Sequence, residues 1–111
     1  MKHLNTLHGL FIDIYKNIGE GEKRFISVKP WLDSTNSKKV IGSKILVLLP
    51  QKEFERIEVK LPLFVEEVER RGVENLDIID FESLEGRTYD VRGNKGVSYK
   101  ATNFEIITKG G

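Results

Sequence analysis

Two neighbouring segments decide the fold class: SKILVLL at residues 43–49 and FERIEVKL at residues 54–61. The first is an almost continuous apolar run, and the second alternates apolar with charged residues. Strict alternation is typical of a half-buried antiparallel strand, which has one face on the core and one in water. Because Pro50 and Pro62 mark the ends of the two segments, we predict that they pair as a hairpin.

Upstream of this hairpin, the sequence predicts two strand segments and a loop. Residues 8–15 and 25–29 are rich in aromatic and β-branched side chains, and a Gly-Glu-Gly turn at 19–21 separates them. Residues 30–42 contain a proline, Trp31 and a polar run, which indicates an exposed loop.

Downstream, one short helix and one long hairpin complete the chain. Apolar residues recur at helical spacing between Leu63 and Arg71, and Gly72 is a typical C-terminal stop. The extended segments 76–92 and 95–108 are predicted to pair as a hairpin across Gly93-Asn94, a dipeptide that suits a two-residue type II′ turn.

This order of elements predicts the architecture. A helix between the third and fourth principal strands matches the OB-fold, a partly open five-stranded barrel, and Gly86 would mark the bulge that curls the sheet. We therefore expect a mainly β, OB-like antiparallel barrel forming a single domain over residues 1–111. The rival is a curled antiparallel sheet with a helix across one face. The expected interior comprises Ile45, Val47, Leu49, Ile57, Val59, Leu61, Val65 and Val68.

Composition bounds the class of protein. The 111 residues suffice for one core, and the absence of cysteine excludes disulfides and thiolate sites and suits a reducing cytoplasm. No run approaches the roughly 18 apolar residues of a membrane span. Eighteen Lys and Arg against 17 Asp and Glu give a net charge of +1, so any basic site must come from the placement of the charges.

Little in the sequence points to catalysis. His3 and His8 have no metal-ligand spacing, and no nucleophile elbow, phosphate-binding glycine loop or dinucleotide fingerprint occurs. We expect no enzyme activity, no metal and no cofactor. Four acids cluster along one strand candidate, but alternation divides them between two faces, which favours a solvated edge over a catalytic dyad. They are Asp77, Asp80, Glu82 and Glu85.

The terminal hairpin carries the more informative pattern. A turn at Gly93-Asn94 predicts three cross-strand pairs: Arg92 with Lys95, Tyr89 with Ser98, and Arg87 with Lys100. Like charges directly opposite each other are destabilising, so this pairing favours a phosphate backbone as ligand. Tyr89 would stack a base beside them. The alternative is that these are ordinary exposed cations and that the tyrosine packs into the barrel.

Further cations lie on strands and on the loop. Lys44, Arg56 and Lys60, together with Lys38-Lys39, would border the same cleft in an OB-fold. Trp31 is either a second stacking residue or a cap on the core.

Several segments resemble a known family. They lie at residues 39–50, 54–60, 80–89 and 96–101, and they are similar to the helicase-processivity-factor group of small proteins encoded by Gram-positive integrative and conjugative elements. The resemblance covers roughly residues 40 to 107. It implies an OB-like protein that binds single-stranded DNA and assists a helicase and a relaxase during replication or transfer of a mobile element. Phage and plasmid single-strand binders share a similar plan. The longer front half, with its 19–21 turn and Trp31 loop, departs from the family pattern, and no binding residue is carried over from the family.

The sequence thus favours a cytoplasmic, non-catalytic single-stranded DNA-binding protein with slight sequence preference. Its expected binding residues are Arg56, Lys60, Arg87, Lys100 and Lys44 for phosphate, with Tyr89 and Trp31 for stacking. The alternative is an interaction or assembly module of a phage or mobile element. Such a module would pair subunits into a homo-oligomer through an exposed strand edge or the acidic helix.

Overall fold

A computed structural model describes residues 21–110 of the chain. Within that range it contains seven β-strands in one sheet, one α-helix and one 3-10 turn at Pro50–Lys52. The strands are β1 Lys23–Leu32, β2 Val40–Leu49, β3 Glu55–Leu61, β4 Ile78–Glu82, β5 Glu85–Val91, β6 Asn94–Lys100 and β7 Asn103–Thr108, and the helix α1 is Val65–Arg70. Their order in the sheet is β5-β6-β3-β2-β1-β4-β7. The predicted strand at 8–15 and the two histidines lie outside the described residues.

The hairpin predicted from residues 43–61 is confirmed. β2 and β3 pair antiparallel from Ser43 opposite Leu61 to Leu49 opposite Glu55. Seven of the eight expected interior residues are buried, and the eighth, Val65, is half-buried. Phe25, Ile79, Phe81 and Phe104 complete the same core. The alternation of apolar and charged residues in β3 therefore identified the inner face correctly.

The mainly β class with one short helix is confirmed, and the sheet is mixed with seven strands where the sequence predicts five antiparallel ones. The two long extended segments of the terminal hairpin are each interrupted, at residues 83–84 and 101–102, so each contributes two strands. Ser83 has a φ of 55°, a left-handed conformation that turns the chain three residues before the bend expected at Gly86. β3 and β6 run parallel, which makes the sheet mixed.

These interruptions curl the sheet. β4 and β7 lie at one end of the strand order, and β5 and β6 lie at the other. Only two residues join β4 to β5, and only two join β6 to β7. Because a link of this length reaches about 11 Å at most, the two ends of the sheet must lie close together, although β5 and β7 remain the two ends of the strand order.

The hairpin turn differs from the predicted one. Val91 pairs with Asn94, so the turn residues are Arg92 and Gly93, with φ of 52° and 83°. Two positive φ values define a type I′ turn in place of the expected type II′. The three predicted cross-strand pairs are therefore wrong, because the observed register sets Asp90 opposite Lys95 and Glu85 opposite Lys100. Opposite charges facing each other across strands are favourable, so these two pairs favour the observed register over the predicted one.

Helix α1 and strand β1 also differ in length from the expectation. The helix begins at Val65 with Val68 buried, and Gly72 follows its end with a φ of 81°, as predicted. β1 runs on to Leu32 and includes Trp31, so the β1–β2 connection spans residues 33–39 and is shorter than the predicted loop of 30–42. Within residues 21–110, no helix is long and apolar enough to cross a membrane.

A buried carboxylate fastens the last described residues to the sheet. Asp77 accepts hydrogen bonds from Lys109 Nζ at 2.5 Å, from the Gly110 backbone N–H at 2.7 Å and from the Glu74 backbone N–H at 2.8 Å. The Lys109 ammonium, followed by the Gly110 amide, lowers the pKa of Asp77 to about 2. The same hydrogen bond to Asp77 raises the pKa of Lys109. Asp77 is thus a structural residue.

Candidate nucleic-acid interface

Four lysines form a row across the outer face of the sheet. Lys29 on β1 is directly opposite Lys44 on β2, Lys44 is opposite Lys60 on β3, and Lys60 is opposite Lys100 on β6. Neighbouring strands are about 4.8 Å apart, so the lysine row extends over about 14 Å. Cross-strand partners point to the same side of a sheet. Since the residues that flank Lys44 and Lys60 in the chain are buried in the core, these lysines and their cross-strand partners lie on the outer face.

Few acids lie against this row. Glu58 lies 3.0 Å from Lys29 Nζ and 3.8 Å from Lys44 Nζ, and it is the acid that these two lysines share. Glu85 faces Lys100 across the strands, and its Oε1 lies 3.6 Å from Nη2 of Arg87. Among the side chains of residues 21–110, these two carboxylates pair with or face three of the four lysines of the row and Arg87, so positive charge is in excess within this group.

Trp31 lies on the same face, two residues beyond Lys29 on β1. It is opposite Gly42, and a Cβ at position 42 would meet the Trp31 ring at 3.0 Å and the Leu61 carbonyl oxygen at a still closer approach. Glycine at 42 therefore lets the ring cross β2. Lys60 Nζ and Lys100 Nζ lie over the ring at 5.7 and 5.6 Å from its centroid, within the range of cation–π attraction.

Tyr89 crosses its partner strand in the same way. It is opposite Gly96, and a Cβ at position 96 would come within 2.6 Å of the ring carbon Cζ and 2.9 Å of Cε1. Tyr89 is 47% exposed, so it does not pack into the interior. Each aromatic residue of this face thus lies over a glycine of the neighbouring strand and remains in contact with solvent.

Two hollows connect these groups. A groove of about 250 Å³ is lined by Lys60, Glu85, Arg87, Ser98 and Lys100. A wider cleft of about 710 Å³ opens between β3 and the β5–β6 hairpin, because these strands pair only at Val59–Tyr99 and Lys60–Lys100. The cleft is lined by Lys44, Glu55, Arg56, Ile57, Glu58, Lys60, Tyr89, Val97, Ser98 and Tyr99.

The wider cleft has an apolar floor with charges at its rim. Ile57 is buried in the core, and Val97 and Tyr99 pack against that core from the hairpin. Burial raises the pKa of the Tyr99 phenol, and the nearby Glu55 carboxylate raises it further. The phenol is therefore a neutral hydrogen-bond donor throughout the physiological range. A floor of this kind suits a flat, partly apolar group, and the cations at the rim suit an anion attached to it.

The structure brings all seven residues predicted from the sequence to one face of the sheet. Arg87 and Lys100 lie in the same groove although they are not directly opposite. Sequence analysis missed Lys29, Gly42 and Gly96. Lys29 ends the predicted strand segment 25–29, and its place opposite Lys44 depends on the β1–β2 register, which no local pattern in the sequence specifies.

The four clustered acids do not form a dyad. Asp77 binds Lys109 and Gly110, Asp80 Oδ1 lies 3.2 Å from Lys23 Nζ, and Glu85 pairs with Arg87. Among residues 21–110, no group of three or more His, Cys, Asp or Glu side chains is arranged to hold a metal ion. Comparison of the chain with protein-family models, curated proteins and solved structures gave no match.

Proposed function

We propose that this chain is a non-catalytic protein that binds single-stranded DNA along the outer face of its sheet. The observation that supports the proposal best is the lysine row, in which four lysines occupy directly opposite positions on four adjacent strands. Like charges directly opposite each other destabilise a sheet by about 0.2–1 kcal/mol per pair. Three such pairs in one row are a cost that a polyanionic ligand would offset.

A single strand fits this face better than a duplex. Trp31 and Tyr89 lie on the same face as the lysines, and stacking of a base on an aromatic ring is worth about 1–3 kcal/mol in single-strand binders. A duplex keeps its bases stacked on each other and presents only phosphates to such a surface. The wide cleft beside Tyr89 offers an apolar floor for a further unstacked base.

The proposed architecture is OB-like. If the chain from β4 to β5 is counted as one bent strand, and the chain from β6 to β7 as another, the seven strands reduce to five. The first strand then neighbours the second and the fourth, and the third runs parallel to the fifth. OB-folds bind oligonucleotides on the face of strands 2 and 3, which in this chain carries Lys44 and Lys60.

An accessory role for a helicase and a relaxase of a mobile element, in the cytoplasm, is part of the proposal. It is supported by the resemblance of residues 40–107 to the helicase-processivity-factor group and by the lack of cysteine, which suits a reducing compartment.

Fluorescence anisotropy with labelled oligo-dT, a duplex of the same length and an RNA counterpart tests the function. We expect oligo-dT to bind more tightly than the duplex. For four phosphate contacts on a single strand, the slope of log K against log salt should be about −2.8. The double variant Arg87→Ala/Tyr89→Ala should weaken binding. Arg70→Gln, which removes a cation from helix α1, is the matched control and should leave the slope unchanged. A flat salt response would refute the proposal.

The second candidate function is assembly through a strand edge. Among residues 21–110, β5 is the last strand at its end of the sheet, and Val91 on this strand is 59% exposed. An edge of this kind pairs readily with another chain. Light scattering distinguishes the candidates. A defined oligomer without nucleic acid that dissociates in a Val91→Lys variant would support assembly, whereas a monomer that binds oligo-dT would exclude it.

A further inference from the structure

The Trp31 ring lies against three residues of its own protein. One is Gly42, where an added Cβ would lie only 3.0 Å from ring carbon Cε3. The ammonium groups of Lys60 and Lys100 lie over it at 5.7 and 5.6 Å from the ring centroid. Trp31 is half-buried as a result. The residue best suited to stack a base is thus already covered by two cations.

A base on its own gains little by stacking on this ring. Each cation–π contact at an exposed site is worth about 2- to 5-fold in an equilibrium constant, and a base must displace both contacts before it can stack. The two ammonium groups would then be left without the ring as a partner. A free nucleoside offers them nothing in return.

A base that belongs to a polynucleotide changes this balance. The phosphates on either side of the base are new anionic partners for the displaced ammonium groups of Lys60 and Lys100. Such partners are needed because Glu85, the acid opposite Lys100, is shared with Arg87. When the ammonium groups move to these phosphates, the ring is uncovered for the base between them. Stacking of the base on Trp31 and binding of the phosphates by Lys60 and Lys100 therefore favour each other.

We infer that Trp31, Lys60 and Lys100 recognise a base and its flanking phosphates together, and that each part alone binds poorly. This inference rests on the proposed function and specifies its ligand as a phosphodiester chain that carries bases. Polyphosphate, an abasic phosphodiester and a free nucleoside are all inferior ligands for the site.

Trp31 is the only tryptophan in the chain, so its indole N–H gives a single, assigned NMR signal that reports on the ring. The full chain is titrated with oligo-dT, with an abasic oligomer of the same length and with thymidine. Oligo-dT should shift the indole signal strongly and bind at least about tenfold more tightly than the abasic oligomer. Thymidine alone should leave the signal nearly unchanged at millimolar concentration.

The variant Lys60→Ala/Lys100→Ala gives the sharpest result, because its two expected effects have opposite signs. Removing both ammonium groups should weaken oligo-dT binding and strengthen thymidine binding by about 4- to 25-fold, the product of two cation–π contacts. Lys29→Ala is the matched control, since Lys29 belongs to the row and the cation–π contacts of Trp31 within residues 21–110 are those of Lys60 and Lys100. It should weaken oligo-dT binding and leave thymidine unaffected. If the double variant does not fold, Lys60→Ala alone should strengthen thymidine binding by about 2- to 5-fold, the value of one cation–π contact.

The outcomes separate the two proposals. If oligo-dT fails to bind at all, the proposed function and this inference both fail. If oligo-dT binds with the expected salt slope while the indole signal stays unchanged, the inference fails and the proposed function stands. Equal thymidine affinity in the wild-type protein and in the double variant also overturns the inference.

Discussion

Replacement of Lys44 by glutamine should stabilise the fold and weaken DNA binding at the same time. Lys44 is the only member of the lysine row with a lysine directly opposite on both antiparallel sides, Lys29 on β1 and Lys60 on β3. Its side chain is 27% exposed, and the acid within reach is Glu58 at 3.8 Å. Glu58 keeps its closer partner Lys29 in the variant.

These contacts give the expected changes in the free energy of unfolding and in the salt dependence of DNA binding. Removing two like-charged cross-strand pairs gains about 0.2–1 kcal/mol each, and losing one solvent-screened ion pair costs up to about 1 kcal/mol. The midpoints of these ranges give a rise of about 0.7 kcal/mol in the free energy of unfolding, or about 3 °C in Tm for a chain of this size. One lost phosphate contact should reduce the salt slope from about −2.8 to about −2.1. Between 50 and 200 mM salt, affinity would then fall about 20-fold in place of about 50-fold.

Urea denaturation and oligo-dT anisotropy measure the two effects on the same preparation. The gain in stability should shrink at 1 M salt, where the screening length falls to about 3 Å. Lys44→Arg keeps the charge and is the control for both measurements. If Lys44→Gln lowers the free energy of unfolding, or leaves the salt slope unchanged, the proposed electrostatic role of the row is wrong.

Three further predictions concern the glycines, the hairpin turn and the buried carboxylate. Gly96→Ala should weaken oligo-dT binding several-fold with little loss of stability, because the three atoms nearest to the added methyl all belong to the movable Tyr89 side chain. In Gly42→Ala the methyl meets the Leu61 backbone, and the free energy of unfolding measured in urea should fall by about 1–3 kcal/mol. Arg92→Asn should raise the free energy of unfolding by several tenths of a kcal/mol, because asparagine tolerates the left-handed φ of 52° better, and a lower urea midpoint would refute this. The pKa of Asp77 is lowered to about 2 from 3.8. Its contribution to the free energy of unfolding is therefore present above pH 4 and is lost as the pH falls towards 2. Asp77→Asn should flatten this part of the acid denaturation curve.

The sequence predicted those parts of the fold that depend on local pattern. The β2–β3 hairpin followed from alternation in residues 54–61, and the end of α1 followed from Gly72. All seven predicted binding residues lie on one face because a strand repeats every two residues, so even a register error of two residues left Arg87, Tyr89 and Lys100 on the same side. Periodicity is thus robust to small errors in the turn.

The remaining features depend on contacts between distant segments. A single serine does not signal a left-handed φ, and the conformation of Ser83 lets one hairpin pair with β1 at one end and with β3 at the other. The choice of Arg92 as a turn residue follows from cross-strand charge pairs that propensity alone does not weigh. The lysine row could not be counted before the β1–β2 and β3–β6 registers were known, which is why Lys29 was missed.

The split terminal hairpin also constrains how the chain reaches its native state. Within residues 21–110, β1 pairs with β2 on one side and with β4 on the other, and β3 pairs with β2 and with β6. Proteins dominated by such distant pairings fold slowly, in milliseconds to seconds. On a ribosome, the β1–β3 meander would emerge before β4 and β6, which are its outer neighbours among residues 21–110, and its edges would have to avoid other nascent strands until residues 78–100 were synthesised.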